Sequence, residues 1–359
     1  MEACASIADK SGKRPVYAAT RIDIEDGVAT FSATNGNESI RVQLAAGLDP
    51  GSEGSVFLPS ENLLRAIKDA KKCEFAIKWN GKTQRATIDY AGARLRLPTE
   101  PPGNLPPIHG FSESRPSIKL QASALTGLFK RTVCAVQTDF TNRSLHGVCM
   151  RVKGTKLVMA ATDGKKFSLV SYEIENPREA ALDVLVPPPN PKQVATLFSL
   201  PEEWMEVQST VSKFTLRGPL GDMSWRTIAG TFPDYEGHIP LTSARELTVD
   251  RLALIEVLER HTVIQTSGGM KHKVTFREGE MEVHSESSVD GGLTATLGVP
   301  WTWEDMVIFL DPILACEGLK AMSSKDVLVG IDSPDQPLSF KEPDGDFNFR
   351  YMVVPMSER

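Results

Sequence analysis

The stretch MAATDGKKFSLV, residues Met159 to Val170, decides how the rest of the chain is read. An apolar strand runs into Thr162-Asp163-Gly164, a basic pair Lys165-Lys166 follows, and a second strand opens at Phe167, which is the pattern of a β-hairpin. The same pattern stands 128 positions earlier, in FSATNGNESIRV, where Thr34-Asn35-Gly36 takes the place of Thr162-Asp163-Gly164. Stepping forward 123 positions lands on Ser285, in MEVHSESSVDGGLTATL.

The same offsets link other landmarks. Val56-Phe57-Leu58-Pro59 maps onto Val184-Leu185-Val186-Pro187 and then onto Val307-Ile308-Phe309-Leu310, each an apolar strand followed by a place for a short helix. Leu105-Pro106-Pro107 recurs as Phe232-Pro233-Asp234, and Pro233 maps onto Pro355 near the carboxyl end. A period this long exceeds that of solenoid repeats and fits a small domain. The expected division is therefore three tandem domains, residues 1–108, 109–237 and 238–359.

Composition agrees with this reading and narrows the function. Of 359 residues, 41% are hydrophobic and 24% charged, which is ample for three globular cores. No apolar run of membrane-spanning length and no leader-like amino end occurs, so the sequence points to a soluble, cytoplasmic protein. Cys4, Cys73, Cys134, Cys149 and Cys316 are odd in number, far apart and without a CxxC pair, the usage of reduced, buried thiols. The scattered histidines form no zinc spacing, and no cofactor or metal is implied. A net charge of −6 argues against a surface that grips nucleic acid all over, and leaves room for one basic internal surface.

The middle copy shows the plan most fully. Ser117–Leu120 reads as a strand and Ser123–Val136 as a helix with Leu125, Leu128, Phe129 and Val133 at helical spacing. Strands follow to Val170, then a helix from Pro191 to Ser199, then strands near Trp204–Gln208, Lys213–Arg217 and Met223–Ile228. In the third copy, Asp250 caps a helix to Ile264 with Leu252, Ile255, Leu258 and Val263 on one side, and a second helix spans Asp311–Met322. In the first, Ser60 is expected to cap a helix carrying Leu63, Leu64 and Ile67. Two helices and small antiparallel sheets per copy make an α+β fold. Shifted back by 128, the helix of the middle copy begins ahead of Met1, so the first copy is expected to lack an opening strand and half a helix, leaving an unpaired strand edge.

At TDGKK, TFPDYEGHIP and YMVVPM the chain resembles the bacterial DNA polymerase III β subunit family of sliding clamps, and the likeness extends from about Arg14 onward. The resemblance implies a head-to-tail homodimer of six domains closed around duplex DNA, with helices lining the hole. Twelve helices side by side at about 10 Å each make a ring of roughly 120 Å, leaving roughly 28 Å clear, whereas six would leave only about 9 Å. One chain cannot encircle a duplex; two can.

The resemblance also assigns surfaces. It implies a partner-peptide pocket at Leu145, Thr162, Gly164, Lys165, Lys166, Phe167, Pro233, His238, Val354, Pro355 and Met356, for the polymerase catalytic subunit, the clamp loader and other clamp-motif proteins. Its Met and aliphatic walls suit several ligands, although the carboxyl-terminal residues read also as the end of a core strand. Gly237 and Ser357 stand where the family usually has arginine, and Phe167 replaces a smaller aliphatic residue, which narrows the expected groove. DNA-facing candidates are Arg14, Arg65, Lys68, Lys71, Lys72, Lys130, Arg131, Lys192, Arg251, Arg260, Lys271, Lys273 and Lys320, on or beside the helices. Individually they read equally as solvated faces; collectively they suit loose, sequence-blind phosphate contact. Leu105, Val263 and Ile264 are candidates for the dimer contact, with core packing an equal reading. Asp163 before Gly164 is ordinary turn chemistry, Asp344-Gly345-Asp346 lacks the ligands of a calcium loop, and no active site is read. A monomeric, clamp-like peptide-binding scaffold is the alternative.

Overall fold

The computed structural model describes every residue except 10, 12–13, 46–51, 72–73, 101–107, 109, 140–141, 177–178, 238, 240–241, 262–270, 288–290 and 358–359. One element order recurs three times. The first run is α1 (Glu2–Ile7), β1 (Ala19–Glu25), β2 (Val28–Thr34), β3 (Glu38–Ala45), β4 (Gly54–Pro59), α2 (Ser60–Ala70), β5 (Phe75–Asn80), β6 (Arg85–Tyr90) and β7 (Ala93–Pro98). The second places β8 (Ile118–Gln121) ahead of α3 (Ala122–Val133), β9 (Val148–Lys153), β10 (Lys156–Thr162), β11 (Lys166–Glu173) and β12 (Asp183–Val186). It continues with α4 (Pro191–Val194), β13 (Trp204–Ser209), β14 (Lys213–Gly218) and β15 (Gly221–Arg226). The third holds β16 (Arg245–Asp250), α5 (Arg251–Arg260), β17 (His272–Arg277), β18 (Glu280–Ser287), β19 (Gly291–Gly298) and β20 (Met306–Leu310). It closes with α6 (Pro312–Ala321), β21 (Asp326–Ile331), β22 (Leu338–Lys341) and β23 (Asn348–Val353). The class is α+β, with antiparallel sheets throughout.

The chain forms two compact units, Met1–Leu125 with Glu175–Ala180 and Pro189–Thr227, and Thr126–Ile174 with Ala181–Pro188 and Ile228–Arg359. In the first unit, one eight-stranded sheet runs β4-β1-β2-β3-β15-β14-β13-β8, joining the first and second runs through β3 and β15, and β5-β6-β7 form a separate three-stranded sheet. Under the latter, Ile22, Leu58, Leu63, Ala86 and Ile88 make one core. In the second unit, an eight-stranded sheet runs β12-β9-β10-β11-β23-β22-β21-β16, joined through β11 and β23, beside a four-stranded sheet β19-β18-β17-β20.

The repeat holds at the level of individual hydrogen bonds. Thr162 Oγ1 donates to the Lys166 carbonyl at 2.7 Å and accepts from Gly164 N at 3.1 Å; Thr34 Oγ1 does the same to Glu38 at 2.8 Å and Gly36 at 3.1 Å. Asp163 Oδ1 accepts from the amides of Lys165 and Lys166, as Asn35 Oδ1 accepts from those of Asn37 and Glu38. Both glycines sit at φ +89°, in the left-handed region that only glycine enters without strain. The third copy departs here: Ser285 lies inside β18 opposite Leu293 and not at a turn, and residues 288–290 lie outside the described set.

Helix ends follow local chemistry in most places. Asp250 caps α5 through Ala253 N, Asp311 caps α6 through Ile313 N, and Asn190 caps α4 ahead of Pro191. Ser60 does not cap α2. It is the helix's first residue, and its buried hydroxyl shares a 2.8 Å hydrogen bond with Thr20 Oγ1. Leu252, expected inward, is 63% exposed, because Leu254, Ile255, Val257 and Leu258 form the buried stripe of α5. Among the described residues no helix is long and apolar enough to cross a membrane.

Candidate functional site

The β10–β11 hairpin ends beside the carboxyl-terminal segment of the chain. β11 pairs with β23, setting Phe167 opposite Met352, and beyond the strand Val354 N donates to the Lys165 carbonyl at 2.8 Å. Two residues on, Met356 N donates to the Phe309 carbonyl of β20 at 2.7 Å. These two backbone bonds hold Val354, Pro355 and Met356 across the end of the hairpin, with Val354 45% and Met356 37% exposed. Large apolar side chains fixed by backbone yet left open to water make this segment a candidate docking surface.

Next to them lies an apolar floor of buried Cys149, Ala160, Leu185, Phe232 and Tyr235, against which Phe167, Leu169, Ile228 and Ile239 pack. The rings of Phe167 and Tyr235 are 5.3 Å apart and tilted, and Phe232 meets Tyr235 edge-on at 6.0 Å. Leu145 is half-buried in a short 3-10 turn, Arg143–Leu145, capped by Asn142. That segment runs alongside the floor: a Cβ on Gly147 would meet Ile228 Cδ1, and one on Gly230 would meet Ser144. Pro233 is exposed, immediately beyond Phe232.

The hairpin's two lysines have separate fates. Lys165 is exposed, whereas Lys166 is 7% exposed, its ammonium paired with Glu317 and 3.7 Å from Asp163. Lys166 therefore anchors the turn to α6 and offers no free charge to a ligand. Arg151 stands 5.9 Å from the Tyr235 ring and pairs with Asp183 at 3.2 Å, and Glu236 pairs with Lys153 at 3.3 Å, so the rim is charged but balanced. Burial raises the Tyr235 hydroxyl pKa and pushes the Cys149 thiol up to about 11, leaving both neutral at pH 7. Burial likewise pushes Cys4 to about 11 and Cys134 and Cys316 to about 12, the state of inert thiols.

Of the expected pocket residues, Phe167 packs on the apolar floor, Leu145 and Pro233 are in segments that border it, Thr162, Gly164, Lys165, Val354, Pro355 and Met356 stand at or next to the hairpin end, Lys166 lies beneath the turn, and His238 falls outside the described residues. The floor residues Cys149, Ala160, Leu185 and Ile228 escaped the sequence reading because each looks like any core position. Phe232 and Tyr235 were signalled by FPDY.

The expected DNA-facing cations are more scattered. Arg14, Arg65, Lys68, Lys71, Lys130, Lys192, Arg260, Lys273 and Lys320 are exposed. Four of them carry carboxylate partners: Arg65 with Glu61, Lys68 with Glu2, Arg260 with Glu256 and Lys320 with Glu259. Lys271 lies 4.6 Å over the Phe309 ring, and Lys273 is on strand β17, not on a helix. Arg251 turns inward to the Ser324 and Leu319 carbonyls at the end of α6. Arg131 leaves the set altogether. It is 3% exposed, bonded through two nitrogens to Glu342 at 2.7 and 3.0 Å, with its guanidinium 4.1 Å from the Phe347 ring. Lys72 and the dimer candidates Leu105, Val263 and Ile264 lie outside the described residues. Among the described residues no group of three or more His, Cys, Asp or Glu is placed to hold a metal.

The chain is thus a repeated α+β fold with exposed apolar side chains just beyond its last strand. The family described as DNA polymerase III beta subunit, central domain, matches residues 119–234. The beta sliding clamp of Rickettsia felis is 21% identical over 98% of this chain and 94% of its own length. That of Synechococcus elongatus is 22% identical over 96% and 92%. The crystal structure of the DNA polymerase III subunit beta from Pseudomonas aeruginosa superposes with a TM-score of 0.90 at 18% identity, over 99% of this chain and 96% of that one, establishing the fold. The chain is thus similar over nearly its whole length to bacterial beta sliding clamps, and its residues 119–234 match the central domain of that family.

Proposed function

We propose that two copies of this chain, each divided at 1–108, 109–237 and 238–359, close head to tail around duplex DNA, tethering the replicative polymerase. The observation that carries the reading is a pair of unused strand edges. Within each unit, the outer strand of one sheet, β3 or β11, pairs antiparallel with the third strand of the next run's second sheet, β15 or β23. The same logic leaves β19 and β7: among the described residues β19 pairs only with β18, and β7 only with β6. Half-buried Leu293, Ala295 and Leu297 alternate along β19, and half-buried Leu95 with buried Leu97 along β7, as a strand pair burying one face requires. Pairing β19 of one copy with β7 of another, twice, closes a ring and leaves no edge of this kind open.

In such a ring, Arg14, Arg65, Lys68, Lys71, Lys130, Lys192, Arg260 and Lys320 supply weak, sequence-independent phosphate contact, the carboxylates beside four of them keeping it loose. The apolar surface at Leu145, Thr162, Gly164, Phe167, Pro233, Val354, Pro355 and Met356 takes short peptide segments of the polymerase, the clamp loader and other partners, and the protein acts without an active site of its own. Sedimentation at micromolar concentration and retention on nicked circular DNA test this together. A dimer that stays on the circle at moderate salt and leaves when the circle is cut is the expected result. A monomer, or retention indifferent to linearisation, removes encirclement and leaves a peptide-binding scaffold.

A further inference from the structure

On one face of the first unit's eight-stranded sheet, charges stand in rows set by strand register. Glu206, Arg217, Asp222 and Arg41 lie opposite one another on β13, β14, β15 and β3, so their signs alternate. Arg217 pairs with Glu206 and Glu113, and Arg41 with Asp222, which leaves every charge in that row compensated. Two residues along each strand, Gln208, Thr215, Ser224 and Ser39 form a neutral row. The next row breaks the pattern. Lys213 lies opposite Arg226, and two like charges directly opposite on one face are destabilising.

Lys213 also borders a hollow of about 430 Å³ between the β13–β14 turn and the segment 110–115. Among the described residues its charged lining consists of Lys213 and Arg115; no carboxylate lines it, and neither cation forms an ion pair. Burial lowers the Lys213 pKa from the ordinary 10.5, with no carboxylate beside it to oppose the effect. Arg115 is positioned from behind. Gln208, 4% exposed, donates from Nε2 to the Ser112 and Arg115 carbonyls at 2.7 and 3.0 Å and accepts from Ser112 N at 3.1 Å. In the turn, Thr210 Oγ1 accepts from Lys213 N at 3.0 Å, and the Ser212 hydroxyl at the same rim is engaged by no described residue. Two cations and a hydroxyl on fixed backbone thus border one space, with no matching negative charge among the described residues.

We propose that this hollow binds a phosphate-class dianion, free phosphate or the phosphate of a monoester, between Arg115 and Lys213, with Arg226 adding charge from the neighbouring strand. The donor set selects the ligand: a planar guanidinium that grips two oxygens, an ammonium acting as a point charge, and a hydroxyl. A carboxylate brings two oxygens and one charge to the same groups and is the weaker match. The hollow is more than ten times the share of volume of a water molecule, about 30 Å³, so it takes an ester group as well as the phosphate oxygens. A dianion there also relieves the repulsion between Lys213 and Arg226, as Asp222 does for Arg217 and Arg41 in the compensated row. None of Arg115, Lys213 and Arg226 is among the cations proposed above to meet DNA.

The test uses the full chain with labelled valine methyls, since Val211 lines the hollow and is almost fully exposed. Inorganic phosphate, titrated at constant pH and ionic strength, is expected to shift the Val211 methyl signals saturably, and acetate is not. Lys213→Gln and Arg115→Gln are each expected to weaken phosphate binding about tenfold or more, and Arg226→Gln about threefold. Lys82→Gln, which removes the same charge at the β5–β6 turn, should change it less than about twofold. Acetyl-phosphoserine-amide in place of phosphate separates the two sources: tighter binding names a monoester, equal or weaker binding names free phosphate, and either supports the site. Shifts that never saturate, an equal response to acetate, or unchanged affinity in both Lys213→Gln and Arg115→Gln would overturn the proposal. Retention on nicked circular DNA keeps this result apart from encirclement. It is expected to be the same for Lys213→Gln as for the parent; a loss matching that of phosphate affinity would assign these cations to DNA and overturn the proposal as well.

Discussion

The two eight-stranded sheets are built to one plan and fastened by different chemistry. In the first, β15 meets β3 with Arg41 reaching Asp222 through Nε at 2.8 Å and a terminal nitrogen at 2.6 Å; the arginine is 39% exposed, the aspartate almost fully buried. In the second, β23 meets β11 over a pair closed to water on both sides, Arg131 with Glu342, further tied by Ser323 Oγ, the Gly127 carbonyl and the Phe347 ring. A second ion pair, Lys166 with Glu317, stands beneath the hairpin of that same junction. The junction that presents the candidate docking surface is thus the more tightly determined one. An arginine satisfied on every side has one geometry available.

The largest expected contrast comes from cutting the two arginines. Arg131→Met leaves Glu342 buried without its cation, which is expected to cost about 3–5 kcal/mol. Arg41→Met leaves Asp222 beside solvent-accessible space, where the carboxyl can take up a proton, and is expected to cost about 1–2 kcal/mol. Urea unfolding of both variants reads the difference directly. Equal losses would mean that burial of the pair does not distinguish the junctions. The double replacement Arg131→Met with Glu342→Met is expected to recover much of the loss, because an apolar pair of similar volume carries no desolvation cost.

This contrast also marks where sequence reading stops. The hairpins were legible because Thr162, Asp163 and Gly164 bond to atoms at most four residues away, so each motif carries its own geometry. The threefold plan was legible because the same short signals return at nearly constant spacing. Lys166 and Arg131 were not, since their partners Glu317 and Glu342 lie 151 and 211 residues away. On paper Arg131 is a helix cation like its neighbour Lys130; only Glu342, Ser323 and Phe347, arriving from the third copy, turn one inward and leave the other in water. Phe167 was flagged as a large residue in the groove, but its packing on Tyr235 depends on a loop 68 positions on. Leu252 failed for a smaller reason: α5 buries Leu254 and Val257, a rotation of the helix that periodicity over ten residues does not resolve.

Two glycines sharpen the comparison at the next level of effect. Gly221 opens β15 opposite Val42 at φ +154°, and a Cβ there would stand 2.0 Å from the Arg41 carbonyl oxygen. The obstacle is backbone in a strand pair, so Gly221→Ala must part β15 from β3, at about 2–3 kcal/mol. At the other junction, a Cβ on Gly127 would meet Phe347 Cζ at 2.6 Å, the far end of a side chain and not backbone. Gly127→Ala is expected to cost about 1 kcal/mol, lost mainly through the stacking of Phe347 on Arg131. Amide exchange should separate them, with protection falling along β3 and β15 in the first and hardly along β23 in the second. The reverse order would place the rigid contact in the wrong sheet.

Acid should act on the two junctions with opposite sign, the subtlest of these effects. Burial would raise the Glu342 carboxyl, but hydrogen bonds from Arg131 and from the Ser323 and Ser324 amides outweigh it and hold the pKa below the ordinary value of 4.5. A carboxylate held low in the fold contributes stability above its unfolded pKa, and that contribution disappears as pH falls through the folded value. For Asp222 burial wins over Arg41, and the pKa stands above the ordinary 3.8. A group raised in this way favours the fold while protonated, and its contribution is lost as pH rises through the folded value. Replacing each by its neutral isostere should therefore split the pair: Glu342→Gln lowers the urea midpoint at pH 7 and converges on the parent as pH drops below about 4. Asp222→Asn should match or exceed the parent at pH 7 and lose that advantage in acid. If both variants move the same way between pH 7 and pH 4, the exposure of Arg41, which lets water weaken its hold on Asp222, is not what sets the two sheets apart.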